Sequence, residues 1–150
     1  MPVLRRLGPA DWRTFRDARL RALADSPEAF GSTLAREQGF REDDWRQRLT
    51  RPVWVVEDPL PVAIGGLFDH EGALHVWGMW TDPGHRGRGH ARRILDALIP
   101  ADADAVLDVN LANDAARTTY EQYGFVGTGR IEPLRPGSDQ RMEQMVLRRG

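Results

Sequence analysis

The chain contains no cysteine. Disulfides, thiol nucleophiles and thiolate metal sites are excluded together. It also contains no lysine, so all 21 basic residues are arginine. Schiff-base chemistry on an internal amine and acylation of a lysine side chain are therefore closed. The arginines are spread evenly over surface-type positions, which argues for a compositional bias and against a local demand for bidentate anion contacts. An excess of charge of either sign is missing too: 21 basic residues face 22 acidic ones, for a formal net charge of −1. A global electrostatic pull towards nucleic acid or a membrane surface is absent. No apolar run approaches the roughly 20 residues of a membrane span, and the opening MPVLRRLGPADW lacks the apolar core of a signal peptide. A cytoplasmic protein with no membrane or nucleic-acid partner is expected.

The 150 residues suit one domain, long enough to bury most of the surface exposed in the unfolded chain. Val3 to Leu7 is a short strand candidate stopped by Gly8 and Pro9. Trp12, Phe15, Ala18 and Ala22 then recur at helical spacing, predicting an amphipathic helix that ends near Asp25. Ser26 and Pro27 suit the cap and first position of a further helix, and Gly31 and Gly39 break the stretch to Leu49 into two short ones. Residues 53–57, 62–68 and 73–81 are β-branched and aromatic runs separated by DPLP and DHEG, which predicts an antiparallel meander. Gly78 lies inside the third run, where a glycine marks a bulge or the close approach of a ligand.

Further on, Ala91, Ile94, Leu95 and Leu98 share one helical face that Pro100 closes. Ala105 to Val109 reads as a strand and Asp114 to Tyr123 as a helix with Gly124 at its C-terminal cap. Phe125 opens the next strand, and Met142 to Leu147 is the last. One α+β domain over residues 1–150 with a mixed, mostly antiparallel sheet is expected. The strand, loop, helix, strand order from 73 to 109 makes those two strands parallel.

The densest chemical signal is His85 to Ala91, HRGRGHA, between that third run and the helix after it. Two glycines let the backbone turn, and a helix N-terminus adds unpaired N–H groups and partial positive charge. Arg86, Arg88, Arg92 and Arg93 surround the turn with His85 and His90, and no acid lies between Asp82 and Asp96. A phosphorylated ligand fits. The pattern GxxxxGK followed by Ser or Thr is absent, which excludes a P-loop nucleotide hydrolase. Gly87 and Gly89 are followed by Arg92 where a dinucleotide fold needs its third glycine. No grouping of His, Asp and Glu has metal-ligand spacing, so no metal is expected.

Arg86, Gly87, Arg88, Gly89, His90 and Ala91 fit R/QxxGxG/A, and Asn113, Ala116, Tyr120, Gly124 and Phe125 fit NxxAxxxYxxxGF at every spacing. In this order the two motifs resemble the GCN5-related N-acetyltransferase (GNAT) superfamily over residues 73 to 126. Ala91 replaces a commoner glycine and Thr81 a usual aliphatic residue. The resemblance implies a GNAT-like domain whose fourth and fifth strands splay apart, with acetyl-CoA as co-substrate. Its pyrophosphate would lie on Arg86, Gly87, Arg88, Gly89, His90 and Ala91. Its pantetheine arm would run beside Met79, Trp80 and Thr81 and near Asn113, with the Met79 N–H facing the thioester carbonyl. Asn113 equally suits a helix N-cap.

By the same resemblance Tyr120 is the acid that protonates the departing thiolate, and His75 stands in the register of the family's glutamate base. Aromatic packing is the competing reading for Tyr120, and ordinary strand packing for His75. Asp69, Glu71, Glu37 and a water chain are alternative bases. Glu28, Glu37, Glu42, Asp43 and Asp44 make the region commonly walling the acceptor acidic, which would draw a cationic amine. The resemblance implies acetyl transfer to a primary amine, small molecule or peptide N-terminus, in a ternary complex, with homodimers common in the family. A non-catalytic coenzyme A-binding regulatory module is the alternative.

Overall fold

A computed structural model describes residues 1–150. The chain runs β1 (Val3–Arg6), α1 (Trp12–Asp25), α2 (Leu34–Gln38), α3 (Glu42–Arg48), β2 (Val53–Glu57), β3 (Pro61–His70) and β4 (Ala73–Thr81). It continues α4 (His90–Leu98), β5 (Ala105–Asn110), α5 (Asp114–Tyr123), β6 (Val126–Pro133) and β7 (Arg141–Leu147). The seven strands form one sheet in the order β1-β2-β3-β4-β5-β7-β6. Every neighbouring pair is antiparallel except β4 and β5. No helix is long and apolar enough to cross a membrane.

Two cores form because the strand period of two sends alternate side chains to opposite faces. On one face Trp12, Phe15, Ala18, Ala22 and Leu23 of α1 and Trp45 of α3 pack on Val53, Val55, Ile64 and Trp80. On the other, Ile94, Leu95 and Leu98 of α4 and Tyr120 of α5 pack on Val56, Val62, Val76, Leu107 and Met145. The sheet is thereby sandwiched, and α4 enters the second core directly after the glycine loop.

Three local differences from the sequence reading have physical causes. Strand β3 extends through Asp69 and His70 to a two-residue turn at Glu71 and Gly72, whose φ values are 52° and 81°. That left-handed pair suits a tight hairpin, and the polar residues before it are solvent-exposed strand positions. Ser26 does not cap a helix with its side chain: its hydroxyl donates to Asp25, and only a short 3-10 turn follows at Pro27–Ala29. Thr33 caps α2 in its place, its Oγ1 accepting from the Arg36 N–H at 3.2 Å. Phe125 is buried between Gly124 and β6, and the strand begins one residue later.

Two features of β4 shape the site. It pairs with β5 through His75 and Val106 alone, so the strands part beyond that point. Against β3, Trp77 faces Gly66 and Trp80 faces Ile64, which puts one extra residue on β4. That bulge contains Gly78 at φ +68°, a left-handed conformation glycine adopts without Cβ strain.

Candidate active site

A cavity of about 550 Å³ fills the opening between the parted strands. Met79, Trp80 and Thr81 line it from β4, Arg86, Gly87, Gly89, His90, Ala91 and Arg92 from the loop and α4, and Asn113 and Tyr120 from the α5 side. Twelve residues were assigned to a site from sequence, and the cavity gathers ten of them. Arg88 does not line it and is exposed.

The loop is built as an anion cradle. Gly87 and Gly89 have φ near +80° with no heavy atom within 4 Å of a built Cβ, so backbone conformation and not space calls for glycine. Arg93 N–H closes the first turn of α4 onto the Gly89 carbonyl at 3.1 Å, while no N–H from Arg86 to Arg92 donates to a carbonyl in the chain. That run of free donors at a helix start is matched to phosphate oxygens. Arg86 is tied by its Nε to the Thr81 carbonyl at 3.0 Å and approaches Asp25 at 3.5 Å. His85 is held by Asp82 at 2.9 Å. His90 is buried with both ring nitrogens unpartnered, and burial followed by the charges of Arg93, His85 and Arg88 lowers its pKa. A neutral imidazole under the helix start results.

Tyr120 is buried, lines the cavity and meets Phe125 edge-on at 6.1 Å. Burial alone pushes its hydroxyl up to about 12, so it keeps its proton at neutral pH. Asn113 caps α5, its Oδ1 accepting from the Ala116 N–H at 3.1 Å, and lines the cavity as well. Trp80 belongs to the α1-side core, with its Nε1 donating to Asp25 at 2.9 Å, and reaches the cavity from there. Tyr123 sits at the rim, donating to Asp96 at 2.7 Å and accepting from Arg149 at 2.9 Å.

His75 is not brought to Tyr120. Its ring stacks on Phe68 at 4.9 Å and lines a second cavity, of about 460 Å³, with His70, Asp108, Arg130 and Glu132. The pairing of His75 with Val106 at the apex of the splay puts it where the strands still touch, whereas Tyr120 stands where they have parted. Glu37 is withdrawn from the bases altogether. Burial by itself would raise its pKa, but hydrogen bonds from Arg19 and Arg48 hold it at about 2. Among the other acidic residues of 28–44, Glu42 pairs with Arg46 at 2.7 Å and Asp44 accepts from the Arg41 N–H at 2.9 Å, both at the exposed surface.

Several site residues escaped the sequence reading. Ser26 and Ala29 line the cavity from the segment after α1, beside Glu28, which the sequence had already placed in the region walling the acceptor. Arg135, in the β6–β7 connection, fastens that segment by donating to the carbonyls of Pro27, Phe30 and Gly31 at 3.3, 3.0 and 3.2 Å. Asn110 adds a bond to the Glu28 carbonyl at 2.8 Å. These are contacts over some 80 to 108 residues of sequence, with no local motif to announce them. Arg92, which the sequence placed around the turn, and Ala116, a residue of the second motif, line the cavity as well.

The family model described as an acetyltransferase (GNAT) domain matches residues 50–127. No curated protein matches the chain in sequence. Among solved structures, a GNAT-family acetyltransferase from Streptococcus pneumoniae superposes with a TM-score of 0.81 at 13% identity over 100% of both chains. The ribosomal-protein-S5-alanine acetyltransferase of Vibrio fischeri gives 0.77 at 16% identity, over 99% of this chain and 93% of its own. The yncA protein of Salmonella typhimurium, solved with its cofactor acetyl-CoA, gives 0.76 at 18% identity, over 100% of this chain and 95% of its own.

Proposed function

The chain belongs to the GNAT family of acetyltransferases, and from that premise we propose that residues 1–150 act as one domain that transfers acetyl from acetyl-CoA directly to a primary amine. The observation that carries this reading is the single cavity lined by the free loop amides, the bulge of β4 and the Tyr120 side chain. The fit to the co-substrate rests on the same feature, because a run of unpaired amide donors with Arg86 and Arg92 beside it asks for a phosphorylated chain. Acetyl-CoA supplies the activated thioester carbonyl.

In this reading the loop amides, Arg86 and Arg92 hold the pyrophosphate, while Gly87, Gly89, His90 and Ala91 shape the turn around it. Arg88, exposed at the loop's outer side, steers the anion by its charge. Met79 and Thr81 offer backbone groups on the unpaired edge of β4, and the Met79 N–H stabilises charge on the carbonyl oxygen during attack. Trp80 and Asn113 fix the two walls. The amine nitrogen forms the new bond to the carbonyl carbon as the carbon–sulfur bond breaks. Tyr120, whose hydroxyl burial pushes up to about 12 and so keeps protonated at neutral pH, gives its proton to the sulfur, and the proton of the amine leaves through water towards His75 at the apex of the splay.

Coenzyme release measured across a panel of amines tests the enzyme reading. Release with at least one primary amine is expected, and acetyl-CoA binding with no release for any amine would identify a binding module. His75→Gln is expected to lower kcat/KM about tenfold with acetyl-CoA affinity unchanged by calorimetry. An unchanged kcat/KM would assign the proton to water alone.

A further inference from the structure

Of the residues that line the cavity between β4 and β5, Glu28 is the one with a carboxylate. It is exposed and takes part in no ion pair. The acids nearest in function are already engaged: Asp25 accepts from Trp80 Nε1 at 2.9 Å and from the Ser26 hydroxyl at 2.7 Å, and Asp82 holds His85. The main chain at Glu28, by contrast, is fixed. Asn110 donates to its carbonyl at 2.8 Å, and Arg135 grips the carbonyls of Pro27 and Phe30 on either side. Since Asn110 is the last residue of β5, Glu28 stands over the parted end of that strand, with Met79 to Thr81 lining the same opening from β4.

A second carboxylate lies on the same face of β5. Leu107 and Val109 enter the core under α4, so Asp108 and Asn110 point to the opposite face, where Asn110 meets Glu28. Asp108 is two residues, about 7 Å of strand, nearer the apex than Asn110. It too has no ion pair, because the one arginine beside it, Arg130, is taken by Glu132 at 3.0 Å. Partial desolvation and the charge of Glu132 raise its pKa, the behaviour of a carboxylate short of a positive partner. The acceptor side of the opening therefore carries unmatched negative charge, while Arg86 and Arg92 on the loop side are matched to pyrophosphate.

We propose that Glu28, with Asp108 behind it, selects the acceptor by charge: a cationic amine whose own carbon bears no carboxylate is taken, and a free α-amino acid is refused. This rests on the acetyl-transfer reading above. Glu28 draws the ammonium form into the opening, and the nitrogen gives one proton to water before it attacks the carbonyl carbon. An α-amino acid holds its nitrogen and a carboxylate oxygen about 3 Å apart, so it cannot bring one to the thioester without bringing the other towards Glu28. Like charges facing one another across a partly desolvated opening are the repulsive element that specificity needs.

The test compares kcat/KM at saturating acetyl-CoA for each common amino acid, its amide and its decarboxylated amine. The best amide or amine is expected to exceed its parent acid about tenfold or more. Decarboxylated amines are more basic than the acids, so a preference for them does not arise from a larger share of free amine. Glu28→Gln is expected to shrink the ratio about tenfold with acetyl-CoA affinity unchanged by calorimetry, and Asp108→Asn to shrink it about threefold. Both residues are exposed, and the wild-type ratios need no variant. Acids turned over as well as their amides and amines would overturn the proposal, and so would a ratio that Glu28→Gln leaves unchanged. Acetyl-CoA binding with no turnover of any amine would instead bring down the acetyl-transfer reading itself.

Discussion

Tyr120 and Glu37 show how burial sends two ionisable groups in opposite directions. Tyr120 has only an apolar surrounding, so its neutral form is favoured and the hydroxyl stays protonated up to about 12. Tyr120→Phe is expected to lower kcat at least tenfold while leaving acetyl-CoA affinity within about twofold, read by steady-state kinetics beside calorimetry. Full activity would remove Tyr120 from the acid's role. Glu37 is buried more completely, yet two guanidinium partners hold it at about 2 against an ordinary 4.5. Because its folded pKa is depressed, its stabilising contribution is complete above pH 4.5 and is lost as pH falls towards 2. Glu37→Gln should therefore flatten the acid limb of a Tm-against-pH curve. At pH 7 it should cost about 3–5 kcal/mol, since Arg19 is then left buried without a counter-ion and the half-buried Arg48 loses its partner.

Among the elements, those with a local period or motif were legible in the sequence and those made by distant contacts were not. Helix α1 follows from the spacing of Trp12, Phe15, Ala18 and Ala22, and α4 from Ile94, Leu95 and Leu98, all buried as the periodicity requires. The bulge was readable from Gly78 alone, because a left-handed residue inside a β-rich run has few other uses. Arg19 was not legible: on a helical wheel it is one more arginine in an arginine-rich chain, and only the fold brings Glu37, Phe30 and Trp77 around it. His75 carried the right register but lines a separate cavity, since register along β4 does not say where β4 and β5 begin to part. The loop has its own test. Gly89→Ala forces a side chain into φ +80° and should cost about 1–2 kcal/mol of stability, with a larger proportional loss of acetyl-CoA affinity as the loop amides turn away. Unimpaired binding in that variant would show that the amides of this turn do not hold the coenzyme.

At the scale of the whole molecule, the sheet is held together by two cores, one on each face, and the site lies where neither fills the space between β4 and β5. The opening is structural in origin: a single parallel pair at His75 and Val106, a bulge at Gly78, and a segment at 26–31 pinned by Arg135 and Asn110. Arg135→Ala releases three carbonyl contacts and is expected to raise the KM for the amine while leaving acetyl-CoA binding nearly intact, as steady-state kinetics will show.

The central claim is that this opening is the acetyl-CoA site, and calorimetric titration of acetyl-CoA into the wild-type protein and into Ala116→Trp tests it most directly. Ala116 lines the cavity from α5, so an indole there fills the space the coenzyme arm would occupy. Saturable one-to-one binding by the wild type, weakened at least tenfold in a folded Ala116→Trp variant, is the predicted result. No binding by the wild type, or equal binding by both proteins, would contradict it.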